Sequence, residues 1–150
     1  MPINQDFSDL FAALNAEGAR YLLVGGYAVA VHAVPRFTKD LDIWIDPTRA
    51  NARRVYTALA NFGAPLLRLA VEDLATEGLI YQIGVSPNRI DIITGISGNV
   101  TFRSAWAARV EASFEGHRIF VIGRRHLIKN KEATGRPQDL LDAKALRKVR

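Results

Sequence analysis

Three acidic residues of this sequence stand where acids are uncommon. Asp40 and Asp42 open an alternating segment that continues Ile43-Trp44-Ile45. In a strand they share one face, with Cα atoms about 6–7 Å apart. Asp91 lies inside the apolar run Ile90-Asp91-Ile92-Ile93, where a carboxylate is costly unless it is paired or holds a metal. Three carboxylates on neighbouring strands suit the oxygen-preferring Mg²⁺. Two such ions, about 3.5–4 Å apart, can activate an attacking oxygen and stabilise a leaving phosphate. Plain ion pairs are the competing reading. Arg36 and Lys39 neighbour Asp40 and Asp42, and Arg89 is a same-face neighbour of Asp91.

Gly25 and Gly26 form the second constellation. They follow the apolar run Tyr21-Leu22-Leu23-Val24 and precede a small apolar stretch, Tyr27 to Ala33. Glycines between a strand and a helix let backbone N–H groups approach a phosphate, and the helix N-terminus favours negative charge. A plain turn uses the same residues. Neither G-x-G-x-x-G nor Gly-Lys-Ser/Thr is present: position 27 is Tyr and position 30 is Ala.

The elements that must position these groups follow from periodicity. Leu10, Phe11, Ala13 and Leu14 have helical spacing, and Gly18 ends that segment. Tyr21–Val24 reads as a buried strand, Tyr27–Ala33 as a short helix ended by Pro35, and Leu41–Ile45 as a second strand. Arg49–Phe62 is an amphipathic helix with Val55, Ala58, Leu59 and Phe62 on one face. Leu79–Val85 and Arg89–Ile93 form a hairpin about the turn residues Ser86-Pro87-Asn88. A short helix over 101–110 carries Trp106, and Arg118–Ile122 is a last strand. Helices over Arg124–Glu132 and Pro137–Lys148 close the chain, with Pro137 at a first helical position. The expected fold is α/β: a mixed sheet of about five strands flanked by helices, because the hairpin forces an antiparallel pair. Residues 1–150 are expected to form one domain, with 124–150 as its C-terminal helical part.

Composition excludes several chemistries. There is no cysteine, which removes disulfides, zinc ribbons and thiol catalysis, and three scattered histidines do not make a metal site. The stretch between Arg20 and Arg36 is free of charge, but Gly25, Gly26, His32 and Pro35 interrupt it, so it does not span a bilayer. No basic segment precedes an apolar core at the N-terminus, so a soluble cytoplasmic protein is expected. Net charge is +5 and uneven: −2 over 1–100 and +7 over 101–150. The basic third favours a polyanionic partner or a triphosphate.

Val24-Gly25-Gly26, thirteen residues, then Asp40-Leu41-Asp42-Ile43 resembles the signature of the nucleotidyltransferase superfamily, the DNA polymerase β-like fold. Gly25-Gly26-Tyr27-Ala28-Val29-Ala30 and Pro35-Arg36-Phe37-Thr38-Lys39-Asp40-Leu41-Asp42 are similar to small bacterial minimal nucleotidyltransferases, relatives of abortive-infection toxin nucleotidyltransferases. So is the C-terminal string Lys131-Glu132-Ala133-Thr134-Gly135-Arg136-Pro137-Gln138-Asp139-Leu140-Leu141-Asp142. The resemblance implies that Asp40 and Asp42 hold Mg²⁺ and the triphosphate. It implies that Asp91 is the third ligand and helps deprotonate an acceptor hydroxyl. Gly25 and Gly26 would meet the β- and γ-phosphates through N–H groups, although many members have a serine where Gly26 stands. Lys131 would lie near the triphosphate as a mobile point charge, supported by Arg136 and Asp139.

The expected function is therefore Mg²⁺-dependent transfer of a nucleoside monophosphate from an NTP to an acceptor: RNA, a protein hydroxyl or a small molecule. Acceptor choice is expected to depend on a partner protein or on oligomerisation. Two other readings stay open. One is a non-catalytic nucleotide-binding or interaction module, such as a toxin–antitoxin component. The other is a nuclease or phosphodiesterase using the same acids. Away from the site, Tyr27, Trp44 and Trp106 are expected in the core, His32 as a satisfied rim residue, and Lys129, Arg124 and Arg125 on the surface. On a helix, a lysine such as Lys131 is ordinarily solvated too.

Overall fold

The computed structural model describes residues 4–33, 35, 40–85 and 88–149. Arg36, Lys39 and the turn residues Ser86-Pro87 lie outside them. The element order is α1 (Gln5–Ala16), β1 (Tyr21–Val24), α2 (Gly25–His32), β2 (Leu41–Ile45), α3 (Arg49–Phe62), α4 (Val71–Leu74), β3 (Ile80–Ile83), β4 (Ile90–Ile93), α5 (Phe102–Ala107), β5 (Val110–Phe114), β6 (His117–Val121), α6 (Arg124–Thr134) and α7 (Pro137–Arg147).

The strands form one mixed sheet in the order β3-β4-β2-β1-β6-β5. β1 pairs antiparallel with β2 and parallel with β6, while β2 pairs parallel with β4. The two edges are antiparallel hairpins, β3/β4 and β5/β6. The α/β architecture is as expected, with six strands rather than about five. The additional strand is β5, which turns into β6 through Glu115 and Gly116, both at positive φ (49° and 81°). Two left-handed residues match the twist of a hairpin, a turn usually marked by Asn-Gly or Asp-Gly. Glutamate at the first position hides it. The short helix α4 was also not expected.

Local chemistry sets the helix limits. The Asn4 side chain caps α1 by accepting from the Phe7 N–H at 3.1 Å. Thr48 caps α3, and Gly63 ends it in the left-handed region. Phe7, Leu10, Phe11 and Leu14 of α1 and Val55, Ala58 and Leu59 of α3 are fully buried. The Phe11 ring lies 5.8 Å from Tyr21 of β1. Trp44 is core as expected, 2% exposed and 5.1 Å from the Phe102 ring of α5. Tyr27 and Trp106 are half-buried against that core. The His32 ring meets the Ile122 carbonyl at 2.6 Å, a satisfied rim contact. Among the described residues, no helix is long and apolar enough to cross a membrane.

Candidate active site

Strand register assembles the acids. Val24 of β1 stands opposite Asp42 of β2, and Asp42 stands opposite Asp91 of β4. Neighbouring strands are about 4.8 Å apart and register partners share a face, so Asp42 and Asp91 are adjacent. Asp40, two residues before Asp42, extends the row on the same side. Right after β1 the chain turns at Gly25, where φ is +70°. A Cβ there would lie 2.1 Å from Asp42 Oδ2. Glycine is thus required twice, by the backbone angle and by the close approach of the carboxylate. The turn leads directly into α2, whose first residues are Gly25 and Gly26.

Arg89 enters this acidic row. Its Nε donates to Asp91 Oδ1 at 2.9 Å and its Nη2 to Asp91 Oδ2 at 3.2 Å. The same Nη2 lies 3.2 Å from Asp40 Oδ2. The anticipated Arg89–Asp91 pair is therefore present and reaches further, to Asp40. Among the described residues, no group of three or more metal-ligating side chains already stands in a geometry that could hold an ion. The carboxylates converge on a guanidinium. Asp42 is not bound by it. Burial pushes its carboxyl up, the charges of Asp91 and Asp40 add to this, and Lys131 and Arg89 oppose it, leaving it at about 6. A further cation beside Asp42 would relieve that unfavourable charge, so these residues suit Mg²⁺ by donor type and by charge.

The opposite wall comes from α6 and α7. Gly135 ends α6 in the left-handed region, and Pro137 opens α7. Asp139, in the first turn, accepts from the Arg136 N–H at 3.2 Å and from Arg136 Nε at 2.7 Å. Lys131 Nζ lies 3.2 Å from Asp139 Oδ1 and 3.1 Å from Asp142 Oδ2. All three are buried: Lys131 is 6% exposed, Asp139 1% and Asp142 2%. Burial pushes the Asp139 carboxyl up, but hydrogen bonds from Arg136, Thr134 and Lys131 outweigh it and hold it well below the usual carboxylate range. Two expectations for Lys131 are corrected here. It is neither solvated nor a mobile point charge, because two aspartates pin it between α6 and α7. Lys129, by contrast, is exposed as expected.

One cavity of about 1170 Å³ takes in the eight candidate site residues: Asp40, Asp42 and Asp91 with Gly25 and Gly26, and Lys131, Arg136 and Asp139 across from them. Sequence reasoning missed two contributors. Arg89 was read as a partner of Asp91 alone. Asp142 was given no role, although its three-residue spacing from Asp139 puts both on one helix face.

No family model matches the sequence, and no curated protein matches it. Solved structures do. The lincosamide antibiotic adenylyltransferase LnuA, in its lincomycin-bound form, superposes with a TM-score of 0.63 at 14% identity over 100% of both chains. A Thermotoga maritima protein described as a candidate nucleotidyltransferase gives 0.60 at 16% identity, over 98% of this chain and 94% of its own. With its row of acids on β2 and β4 and its glycine turn after β1, this chain has the nucleotidyltransferase fold.

Proposed function

We propose that the cavity transfers a nucleoside monophosphate from an NTP to an acceptor hydroxyl, with Mg²⁺ held by Asp40, Asp42 and Asp91. The observation that carries this reading is that glycine turn, acidic row and basic wall face one another across a single cavity. When bound, the metal would neutralise the triphosphate and the charge that develops in transfer. The chain's own groups do the rest. The N–H groups at the start of α2 face the β- and γ-phosphates. Arg136 lends positive charge from the opposite side, and the Lys131–Asp139–Asp142 cluster holds that wall in place. The Asp91 carboxylate accepts the proton of the attacking hydroxyl. The new bond joins the acceptor oxygen to the α-phosphorus, the bond from the α-phosphorus to the bridging oxygen breaks, and pyrophosphate leaves. For Asp40 and Asp91 to hold a metal, Arg89 would have to give up its ion pairs with them.

The acceptor is RNA, a protein hydroxyl or a small molecule, and the compartment is the cytoplasm. LnuA is by its description an adenylyltransferase acting on a lincosamide, which supports including small hydroxyl compounds among the acceptors tested. The second reading is a nucleotide-binding or interaction module without catalysis, as in a toxin–antitoxin pair. The Arg89 bridge favours it, because a guanidinium neutralises the acids without any metal. Incubation with each of four α-labelled NTPs, Mg²⁺ and a cell extract separates the two. Transfer predicts a labelled product that disappears with Asp42→Asn. An unlabelled extract, with Mg-NTP binding unchanged in that variant, leaves only the module. Cleavage of nucleic acid without NTP would identify a nuclease.

A further inference from the structure

A second cavity, of about 490 Å³, opens between the α1–β1 loop, α3, α5 and β6. Arg20, Arg54 and Arg118 line it together with Trp106 and Phe120, and no lining residue is acidic. Two of these guanidinia are laid against rings, and the third, Arg54, donates to the Gly18 carbonyl at 3.4 Å. Arg20 is 5.6 Å from the Trp106 centroid and Arg118 is 5.1 Å from Phe120. Beside them Arg109 sits 4.0 Å over Trp106 and donates to the Trp106 carbonyl at 2.8 Å. Stacking on aromatic faces fixes a guanidinium while leaving its N–H edge available. Among the described residues, Arg20, Arg54 and Arg109 make no ion pair. Arg118 has one, with Glu111 at 3.0 Å.

Three arginines gathered with a single counter-charge among the described residues, Glu111, are costly in an isolated chain, because like charges repel. Their complement is an anion with several oxygens. Arginine forks match phosphate geometry. The faces of Trp106 and Phe120 are taken by the arginines and by the Phe102 ring, so the rings hold the guanidinia, and the sugar or base of the same ligand would meet the ring edges that line the cavity. The register gives the location. Trp44 and Asp42 share a face of β2, and Leu22 and Val24 stand opposite them, so Arg20, two residues further back, continues that face. Leu23 pairs with Val121, which puts Phe120 and Arg118 there as well. From Val24 to Arg20 is four residues, about 13 Å along the strand. The second cavity thus lies on the same side of the sheet as the acidic row, at the other end of β1.

We propose that this arginine–aromatic cavity binds a nucleotide unit through its phosphate, either as a free nucleotide or as one residue of a single strand. It stands apart from the transfer reaction and holds whether or not the acidic cavity is catalytic. The test uses the full chain in EDTA, so that no metal draws phosphates to the acids. The protein has two tryptophans; both emit, but only Trp106 lines the cavity while Trp44 is buried in the core, so a change in fluorescence on adding ligand reports on Trp106. The probes are inorganic pyrophosphate, a nucleoside monophosphate, and a single-stranded RNA of about eight nucleotides, within the range one such site spans. Binding of the monophosphate or the RNA is expected to weaken about tenfold in Arg54→Ala and in Arg118→Ala, each losing a charge-assisted contact. Glu111→Gln, which releases Arg118, is expected to tighten it. Arg53→Ala and Arg125→Ala remove equal charge elsewhere and are expected to change it less than about twofold. Comparable affinity for monophosphate and RNA assigns a free nucleotide, and much tighter RNA binding assigns a strand. No binding by either, binding by pyrophosphate alone, or equal losses in the control variants overturns the proposal. Thermal melts of each variant show whether the fold is intact.

Discussion

Replacing Asp42 by asparagine is expected to stabilise the metal-free protein while abolishing transfer. The carboxyl of Asp42 ordinarily titrates near 3.8 and is raised to about 6 by burial beside Asp91 and Asp40. The folded state therefore binds a proton that the unfolded chain has released, across the window between those two values. Stability falls as pH rises through that window, and the full penalty is present above about pH 6. By linkage the displacement corresponds to about 3 kcal/mol. Water reaches part of the side chain, and asparagine keeps some of the cost of burying a polar group, so about 1–3 kcal/mol is expected. For a chain of this size that is a rise in Tm of roughly 3–10 °C. The assay is urea or thermal unfolding of wild type and Asp42→Asn in EDTA at pH 8, 6 and 4. The gap should be widest at pH 8 and close toward pH 4. Added Mg²⁺ should stabilise the wild type and leave the variant unmoved. A variant less stable than wild type at pH 8, by an amount indifferent to pH, would show that Asp42 is a satisfied structural group and would refute the charge argument.

Gly25→Ala combines a left-handed residue, which costs roughly 1–2 kcal/mol outside glycine, with a Cβ 2.1 Å from Asp42 Oδ2. The expected result is lower stability by denaturant titration and loss of labelled product. Lys131→Met leaves Asp139 and Asp142 buried without their shared cation, and a loss of about 3–5 kcal/mol is expected in the same titration. Asp139, whose carboxyl is held low, contributes stability that is present above its unfolded value near 4 and is lost as pH falls below it. Asp139→Asn should therefore flatten the acid limb of the stability profile. Arg89→Ala is expected to lower stability in EDTA and to tighten Mg²⁺ binding in calorimetry, because the guanidinium no longer competes for Asp40 and Asp91. Unchanged Mg²⁺ affinity would mean that Arg89 does not stand in the metal's way.

Why some of this was legible and some not comes down to the range of the interactions. The acidic row was readable because a two-residue period fixes a face: Asp40 and Asp42 had to project together, and Asp91 interrupted an apolar run that had to be a strand. The glycine turn was readable because its neighbours are a strand and a helix. The hairpin β5–β6 was not, since Glu115 occupies a left-handed position that Asn or Asp usually fills, and the exposed edge strand before it has a weak apolar pattern. The two charged clusters were beyond reach for a different reason. Whether a lysine is solvated or pinned depends on which helix packs against it. Lys131 and Asp142 are eleven positions apart, joined only by the way α7 folds back on α6. Likewise Arg20, Arg54 and Arg118 meet because β1, α3 and β6 bring them together.

That difference bears on how charge is used in this molecule. The sequence offers a mildly acidic first two-thirds and a basic last third, which suggests one acidic surface against one basic one. The fold redistributes them. Arg89, from the acidic part, neutralises two of its own aspartates. Asp139 and Asp142, from the basic part, consume Lys131. Arg136, across the cavity, is bonded to Asp139. What is left over is Asp42 at one end of the sheet and, at the other end of β1, three arginines drawn from both parts that share, among the described residues, a single acidic partner, Glu111 on Arg118. Buried pairs contribute little net stability relative to apolar packing, so the paired charges mainly fix geometry: the α6–α7 wall and the spacing of the acids. The charges left incompletely matched are the ones at which a ligand gains most from binding. A cation at Asp42 and a phosphate at Arg20, Arg54 and Arg118 would each relieve repulsion that the folded chain otherwise retains. The two sites should accordingly respond alike to charge removal, although their charges are opposite in sign. Asp42→Asn stabilises the free protein at the expense of metal binding, and Arg54→Ala does the same at the expense of phosphate binding.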